Sequence, residues 1–158
     1  MDITLKTECG KFNMRAVGVV IHEGKLLVYQ NEGYPYKCLP GGRIQFGEPA
    51  ESAVLREMKE EIGIDAEIVR PLWLNQAFFT EDVEQTQFHE LCFYFLIKLP
   101  SEFLESHKTS FITQEGKKIH RFEWVCLEDL PNVYMYPTFL KDEIFNLPEN
   151  LQLRIEQQ

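Results

Sequence analysis

The stretch Pro49 to Ile62 constrains the fold most, because it is the clearest helix in a chain that otherwise reads mainly as strands. Pro49 suits a first helical turn, the interior is rich in Ala, Leu, Glu, Met and Arg, and Gly63 suits the C-terminal cap. At 3.6 residues per turn the segment makes about four turns. Projected along the axis, Ala50, Ala53 and Val54 fall on the same side as Glu57 and Glu61, with Ser52, Arg56 and Lys59 on the other. Glu57, Glu60 and Glu61 stand at i, i+3 and i+4 and share an arc of roughly 100°. An acidic arc is most often a solvated face. Here, however, the carboxylates continue the inward apolar side. Three negative groups near a helix C-terminus also oppose the macrodipole and repel one another. Oxygen-ligated divalent cations such as Mg²⁺ or Mn²⁺ would offset that cost.

Around this helix, Met14 to Gln30 predicts a hairpin: apolar Ala16 to Ile21, a turn through His22-Glu23-Gly24-Lys25, then Leu26 to Tyr29. Lys37-Cys38-Leu39 is a short strand candidate that ends at Pro40-Gly41-Gly42, where a tight, backbone-exposing loop is expected. Ile64 to Phe79, Phe88 to Lys98 and Lys118 to Val125 read as strands, with polar connections at Thr80 to Gln87 and Ser106 to Gly116. Pro137 to Leu147 reads as a closing helix. Strands mixed with two helices, without regular alternation, point to an α/β fold in which helices cover a mixed sheet. With 158 residues, 44% of them hydrophobic, the expectation is one domain over residues 1–158.

Charge and cysteine usage narrow the partners. A net charge of −9 repels nucleic-acid backbones and anionic membranes, so nucleic acid is disfavoured as a partner. An anionic small substrate needs local cations, which a divalent metal supplies. Cys9, Cys38, Cys92 and Cys126 lack paired metal-ligand spacing and read as free buried thiols. The polar start MDITLKTECGK and the absence of a long apolar run lead to the expectation of a soluble, cytoplasmic protein. A homodimer is left open.

The residues before the helix complete the pattern. Gly41 and Gly42 leave backbone accessible to a ligand, and Arg43 to Gly47 leads into the carboxylate helix. The stretch GRIQFGEPAESAVLREMKEEIGI, Gly42 to Ile64, resembles the complete Nudix box, G-x5-E-x7-R-E-U-x-E-E-x-G-U with U apolar. Gly42, Glu48, Arg56, Glu57, Met58, Glu60, Glu61, Gly63 and Ile64 fill every specified position. The resemblance implies a Nudix-type α/β/α sandwich carrying the box as a loop-helix-loop. It implies that Glu60 and Glu61 bind divalent metal with the carbonyl of Gly41, and that Glu57 is a further ligand or the base that activates water. Arg56 and Glu48 would orient that cluster, and Gly42 and Arg43 would meet the substrate. The implied reaction is hydrolysis, by metal-activated water, of the diphosphate in a nucleoside-diphosphate-type small molecule such as ADP-ribose, a nucleotide sugar or a nucleoside triphosphate. The competing readings are a catalytically silent nucleotide sensor, against which the intact glutamates speak, and an RNA 5′-end pyrophosphohydrolase, which the acidity disfavours.

One further carboxylate from outside the box is expected, with Glu123, Glu115 and Glu90 as candidates and Glu123 ranked narrowly first. Glu123 sits in the family-like Phe122-Glu123-Trp124-Val125, and Glu115 in a polar loop. Tyr34, Phe46, Phe78 and Phe79 are candidates to stack a base, although aromatics in strands more often belong to a core. His89 and His120 read as structural rather than phosphate-binding.

Overall fold

The first apolar run does not stay in one sheet. In the computed structural model, which describes residues 1–158, strand β2 (Gly10–Val19) follows a short β1 (Thr4–Thr7), and past Val20 the chain enters a second sheet as β3 (Ile21–His22). That strand turns back into β4 (Lys25–Asn31), with Ile21 opposite Leu26 and His22 opposite Lys25. The expected hairpin is therefore present as β3–β4, whereas Ala16 to Val19 pair elsewhere. Glu23 and Gly24 at the turn both have positive φ, 49° and 72°, as a type I′ hairpin turn requires.

The remaining elements are β5 (Gly41–Arg43), α1 (Ala50–Ile62), β6 (Glu67–Thr80), β7 (Gln87–Lys98), α2 (Ser101–Ser106), β8 (Phe111–Glu115), β9 (Lys118–Cys126), α3 (Leu140–Glu143) and β10 (Gln152–Gln157), with a 3-10 segment Leu127–Asn132 after β9. One sheet has the order β1–β2–β7–β6–β10, with β5 also paired to β2, and the other has the order β3–β4–β9–β8. The larger sheet is mixed: β2 and β7 are parallel, as are β6 and β10, while β6 and β7 are antiparallel.

Side-chain alternation divides the interior into two cores. Val17 and Val19 of β2 and Leu26 and Val28 of β4 join Trp73, Tyr94, Phe139 and Leu140 on one side. Ala16, Leu27 and Tyr29 from the same strands join Ala53, Val54, Met58 and Ile62 of α1 on the other. Strands buried on both faces account for the unbroken apolar runs in the sequence. Each fully buried Leu or Met contributes about 1.5–3 kcal/mol. With α1 on one side and the 3-10 segment and α3 on the other, this is the mixed α/β sandwich that the sequence led us to expect.

Several local expectations are corrected. Gly41 and Gly42 are not in an open loop but in β5, with Val17 opposite Gly41 and Ala16 opposite Gly42. Lys37 and Cys38 make only isolated bridges, to Met135 and Tyr29. The polar connection Ser106 to Gly116 contains β8, a sheet-edge strand whose polar Thr113, Gln114 and Glu115 hid it. The closing helix is reduced to one α turn, because hydrogen bonds around it alternate between i→i−3 (Lys141 N–H to Thr138, Asp142 N–H to Phe139) and i→i−4 (Ile144 N–H to Leu140). Packing of Phe139, Leu140 and Ile144 into the core sets its course instead. All four cysteines are free, but Cys9 and Cys126 are exposed rather than buried. No helix is long and apolar enough to cross a membrane.

Candidate active site

The site begins where β5 meets α1. Pro49 precedes the helix in an extended conformation (φ −63°, ψ 148°), and no side chain caps the N-terminus. At the other end Gly63 adopts φ 82°, a left-handed cap whose N–H donates to the Lys59 carbonyl at 3.0 Å. Between these ends Ala53, Val54, Met58 and Ile62 face the core, and Glu61 is buried with them at 5% exposure. Glu57 and Glu60 flank that stripe, half-buried and exposed respectively. Glu57 lies so close to β5 that any side chain at position 42 would overlap its carboxylate, so Gly42 lets Glu57 keep its place against the strand.

Arg56 ties the cluster together. Its guanidinium donates two bonds to Glu48 (2.8 and 3.0 Å), one to Glu57 (2.8 Å), one to Glu60 (3.0 Å) and one to the Arg43 carbonyl (3.1 Å). The helical projection put Arg56 on the side away from the carboxylates. In the structure Arg56 stands one turn before Glu60 and reaches the carboxylates from there. Glu48 also accepts the Gln45 N–H at 2.9 Å, and its carboxyl is held below the usual range, chiefly by Arg56. Glu57 shifts the other way, since burial outweighs the guanidinium beside it. The Glu61 carboxyl is pushed up to about 8 by burial and then by the Glu57 charge, against the stabilising Gly41 N–H, which donates to Oε2 at 2.9 Å.

These carboxylates stand on the wall of a cleft of about 880 Å³ between the two sheets, together with Gly41, Gly42, Arg43 and Arg56. Glu115, at the end of β8, faces Glu57 and Glu61 across it and adds to the repulsion on both. His120 is buried beneath Glu115, with Nδ1 2.8 Å from Asn31 Oδ1 and Nε2 3.3 Å from Glu115 Oε2. The arrangement fits a divalent cation. Oxygen donors converge, one of them buried, and a positive charge is what their mutual repulsion lacks. In the present rotamers Arg56 occupies Glu57 and Glu60, and no three carboxylates share a ligand position.

Of the three outside carboxylates, Glu123 is not brought to the cluster. It pairs with Lys37 in a separate groove formed with Phe111, Arg121 and Phe122. Its ranking therefore yields to Glu115, and the reason is strand alternation, which turns Glu123 away from α1. Glu90 lines the cleft from β7, 4.0 Å from Arg15. Tyr34 and Phe79 also line it. Phe46 is 79% exposed outside it, and Phe78 packs on His89 on the opposite face of β6. His89 meets Gln76 at 2.9 Å and packs on Phe78.

A family model described as the NUDIX domain matches residues 12–144. The chain belongs to the Nudix family. An ADP-ribose pyrophosphatase of Methanocaldococcus jannaschii is 40% identical over 50 residues, which cover 30% of this chain and 30% of that protein. Nudix hydrolase 5 of Arabidopsis thaliana is 30% identical over 142 residues, covering 86% of this chain and 43% of the relative. The chain thus spans less than half the length of either curated relative. Among solved structures, a MutT protein of Bacillus halodurans superposes with a TM-score of 0.63 at 14% identity, covering 91% of this chain and 89% of that one, a likeness of fold. Within the Nudix fold, reasoning from sequence missed Arg15, Asn75 and Glu156, which also line the cleft. Each sits in a strand with nothing in its neighbourhood to single it out, so only sheet register reveals it.

Proposed function

We propose that this Nudix chain is a pyrophosphohydrolase that cleaves the diphosphate of a small nucleoside-diphosphate derivative with water, using Mg²⁺ or Mn²⁺. The observation that carries the reading is the buried Glu61 beside Glu57, Glu60 and Glu115, on the cleft wall next to the Gly41–Arg43 backbone. Glu57, Glu60 and Glu61, with the Gly41 carbonyl, would hold the metal. When bound, it lowers the pKa of a coordinated water and neutralises charge on the diphosphate. Arg56 fixes Glu48 and Glu57 through three of its five bonds, and Gly42 and Arg43 present backbone and a cation to the phosphates. Water supplies the oxygen of the new P–O bond, Glu57 or Glu115 accepts its proton, and the bridging P–O bond breaks with its electrons on the leaving phosphate.

Water is favoured over a covalent nucleophile by the state of the alternatives. Both nitrogens of His120 are engaged, and burial pushes the Cys38 thiol up to about 11, keeping it protonated at neutral pH. The test is a panel of ADP-ribose, nucleotide sugars, dinucleoside polyphosphates and nucleoside triphosphates, each with added Mg²⁺ or Mn²⁺, in ¹⁸O-labelled water and with both products identified. We expect label in one phosphate-bearing product and no turnover in excess EDTA. Full turnover in EDTA, or a trapped phosphorylated or nucleotidylated protein, would overturn the reading.

A further inference from the structure

One edge of the larger sheet is unguarded. Strand β10 closes that sheet, pairs with β6 alone and leaves its other side free. Just past it, Gln158 donates its N–H to the Phe78 carbonyl at 3.0 Å. Successive residues of a strand turn their backbone groups to opposite sides, so Arg154 and Glu156 also bond toward β6. Leu153, Ile155 and Gln157 therefore present N–H and C=O groups to the open edge. The side chains alternate as well. Arg154 and Glu156 are half-buried, beside Asn75 and Ala77, whereas Leu153 and Ile155 stand on the outer face at 79% and 71% exposure. There the register continues them into rows with Leu74 and Phe93 and with Gln76 and Leu91. Other edges are blunted: β1 has only four residues and carries Lys6, and β8 is polar through Thr113, Gln114 and Glu115. A free edge with exposed aliphatic side chains and neither lysine nor proline is a template for another strand.

We propose that this edge is the seam of a homodimer, in which β10 pairs antiparallel with β10 of a second copy about a two-fold axis at Ile155. Outward-facing residues must stand opposite one another for the hydrogen bonds to form, so the axis passes at a residue and not between two. An axis at Arg154 or at Glu156 sets like charges directly opposite, which is destabilising. An axis at Leu153 leaves Arg154 facing the uncharged Gln152. With the axis at Ile155, each Arg154 stands opposite Glu156 of the partner subunit and Ile155 meets its own copy. Arg154 and Glu156 then occupy the non-hydrogen-bonded positions, where Cα atoms approach to about 4.5 Å and side chains are closest. Arg154 also bonds to Glu143 of its own chain, and a guanidinium has donors to spare for a second carboxylate. The strand is thus complementary to itself in hydrogen bonding, charge and apolar surface, which favours a second copy over an unrelated extended segment. The seam also bears on the cleft. Glu156 lines it, so Arg154 of the partner subunit brings a cation to an acidic wall.

Sedimentation velocity of the full chain, from about 1 to about 100 μM, tests the seam. We expect the wild type to form a dimer whose share grows with concentration. Ile155→Lys, at an exposed position where folding is not at risk, sets two like charges on the axis and should leave a monomer throughout. The register has a test of its own. Arg154→Glu and Glu156→Arg each oppose like charges across the seam and should each weaken association at least about tenfold. Mixed in equal amounts, the two variants should form a heterodimer, because each new glutamate then faces an arginine of the other chain. Recovery on mixing cannot come from chains that failed to fold, so it separates the seam from loss of the Arg154 bond to Glu143. A wild type that stays monomeric at the highest concentration would overturn the proposal, and so would an extended segment of another protein being the only strand the edge accepts. A dimer that survives Ile155→Lys, or variants that stay apart on mixing, would refute it equally.

Discussion

Arg56 engages more of the acidic wall than any other side chain, bonding to Glu48, Glu57 and Glu60 and to the Arg43 carbonyl. A surface i,i+4 pair alone is worth about half a kcal/mol. If Arg56 positions Glu57 for the attacking water, Arg56→Ala should lower kcat at least about tenfold, corresponding to about 1.4 kcal/mol of barrier. An unchanged kcat on a competent substrate would reduce Arg56 to a surface pair. Glu61 leads to a second expectation. Its carboxyl is pushed up to about 8 by burial and by Glu57, whereas in the unfolded chain it titrates near 4.5. Between those values the unfolded state has released a proton that the folded state retains, so in chelator stability should fall as pH rises from 5 to 8. Mg²⁺ favours the ionised form and should raise Tm more at pH 8 than at pH 5. Scanning calorimetry of wild type and Glu61→Gln checks this: the variant should lose that part of the slope, and identical pH profiles would refute the assignment.

At the scale of elements, the β6–β7 connection behaves as a latched turn at the mouth of the cleft. The Glu81 carboxylate accepts the Tyr36 hydroxyl at 2.7 Å and the N–H groups of Val83 (3.0 Å) and Glu84 (2.5 Å), while Asp82 accepts both Tyr134 and Tyr136. Glu81→Ala removes the acceptor of two amides, so hydrogen exchange at Val83 and Glu84 should quicken by at least about tenfold while the global Tm hardly moves. Unaltered exchange there would show that the tyrosines hold the turn without Glu81. The sequence disclosed elements in proportion to how local their determinants are. Helix α1 carries its own cap, composition and periodicity, and Glu48, Arg56, Glu57, Glu60 and Glu61 lie within one continuous segment. Strand β8 is a polar edge, β10 pairs with a strand about eighty residues earlier, and Glu115 and Glu156 reach the cleft through those pairings. No window along the chain contains that information, so the sequence alone does not bring Glu115 or Glu156 to the helix.

For the whole molecule, charge decides how a substrate arrives. The chain carries a net charge of −9, and the cleft repeats the bias, with eleven acidic and six basic side chains on its lining. Some of that negative charge is withdrawn at Glu61, whose carboxyl burial pushes up to about 8, and burial shifts Glu57, Glu90 and Glu156 in the same direction. Enough remains that a bare nucleotide anion meets a repulsive field both at a distance and inside the cleft. A basic nucleotide site loses affinity as salt screens attraction, whereas an acidic one should gain it as salt screens repulsion. Raising ionic strength from about 0.01 to 0.15 M shortens the screening length from about 30 to 8 Å, less than the dimensions of the cleft wall and its surroundings. Calorimetric titration of a nucleoside diphosphate in EDTA should therefore show weak binding that tightens across this range. With saturating Mg²⁺ the affinity should rise by more than about tenfold and its salt dependence flatten or reverse, since bound cations have replaced repulsion with short-range coordination. Binding in EDTA that weakens steadily with salt would mean that Arg15, Arg43, Lys117 and Lys118 dominate the field at the phosphates, and that the clustered carboxylates do not need a metal before they can admit a diphosphate.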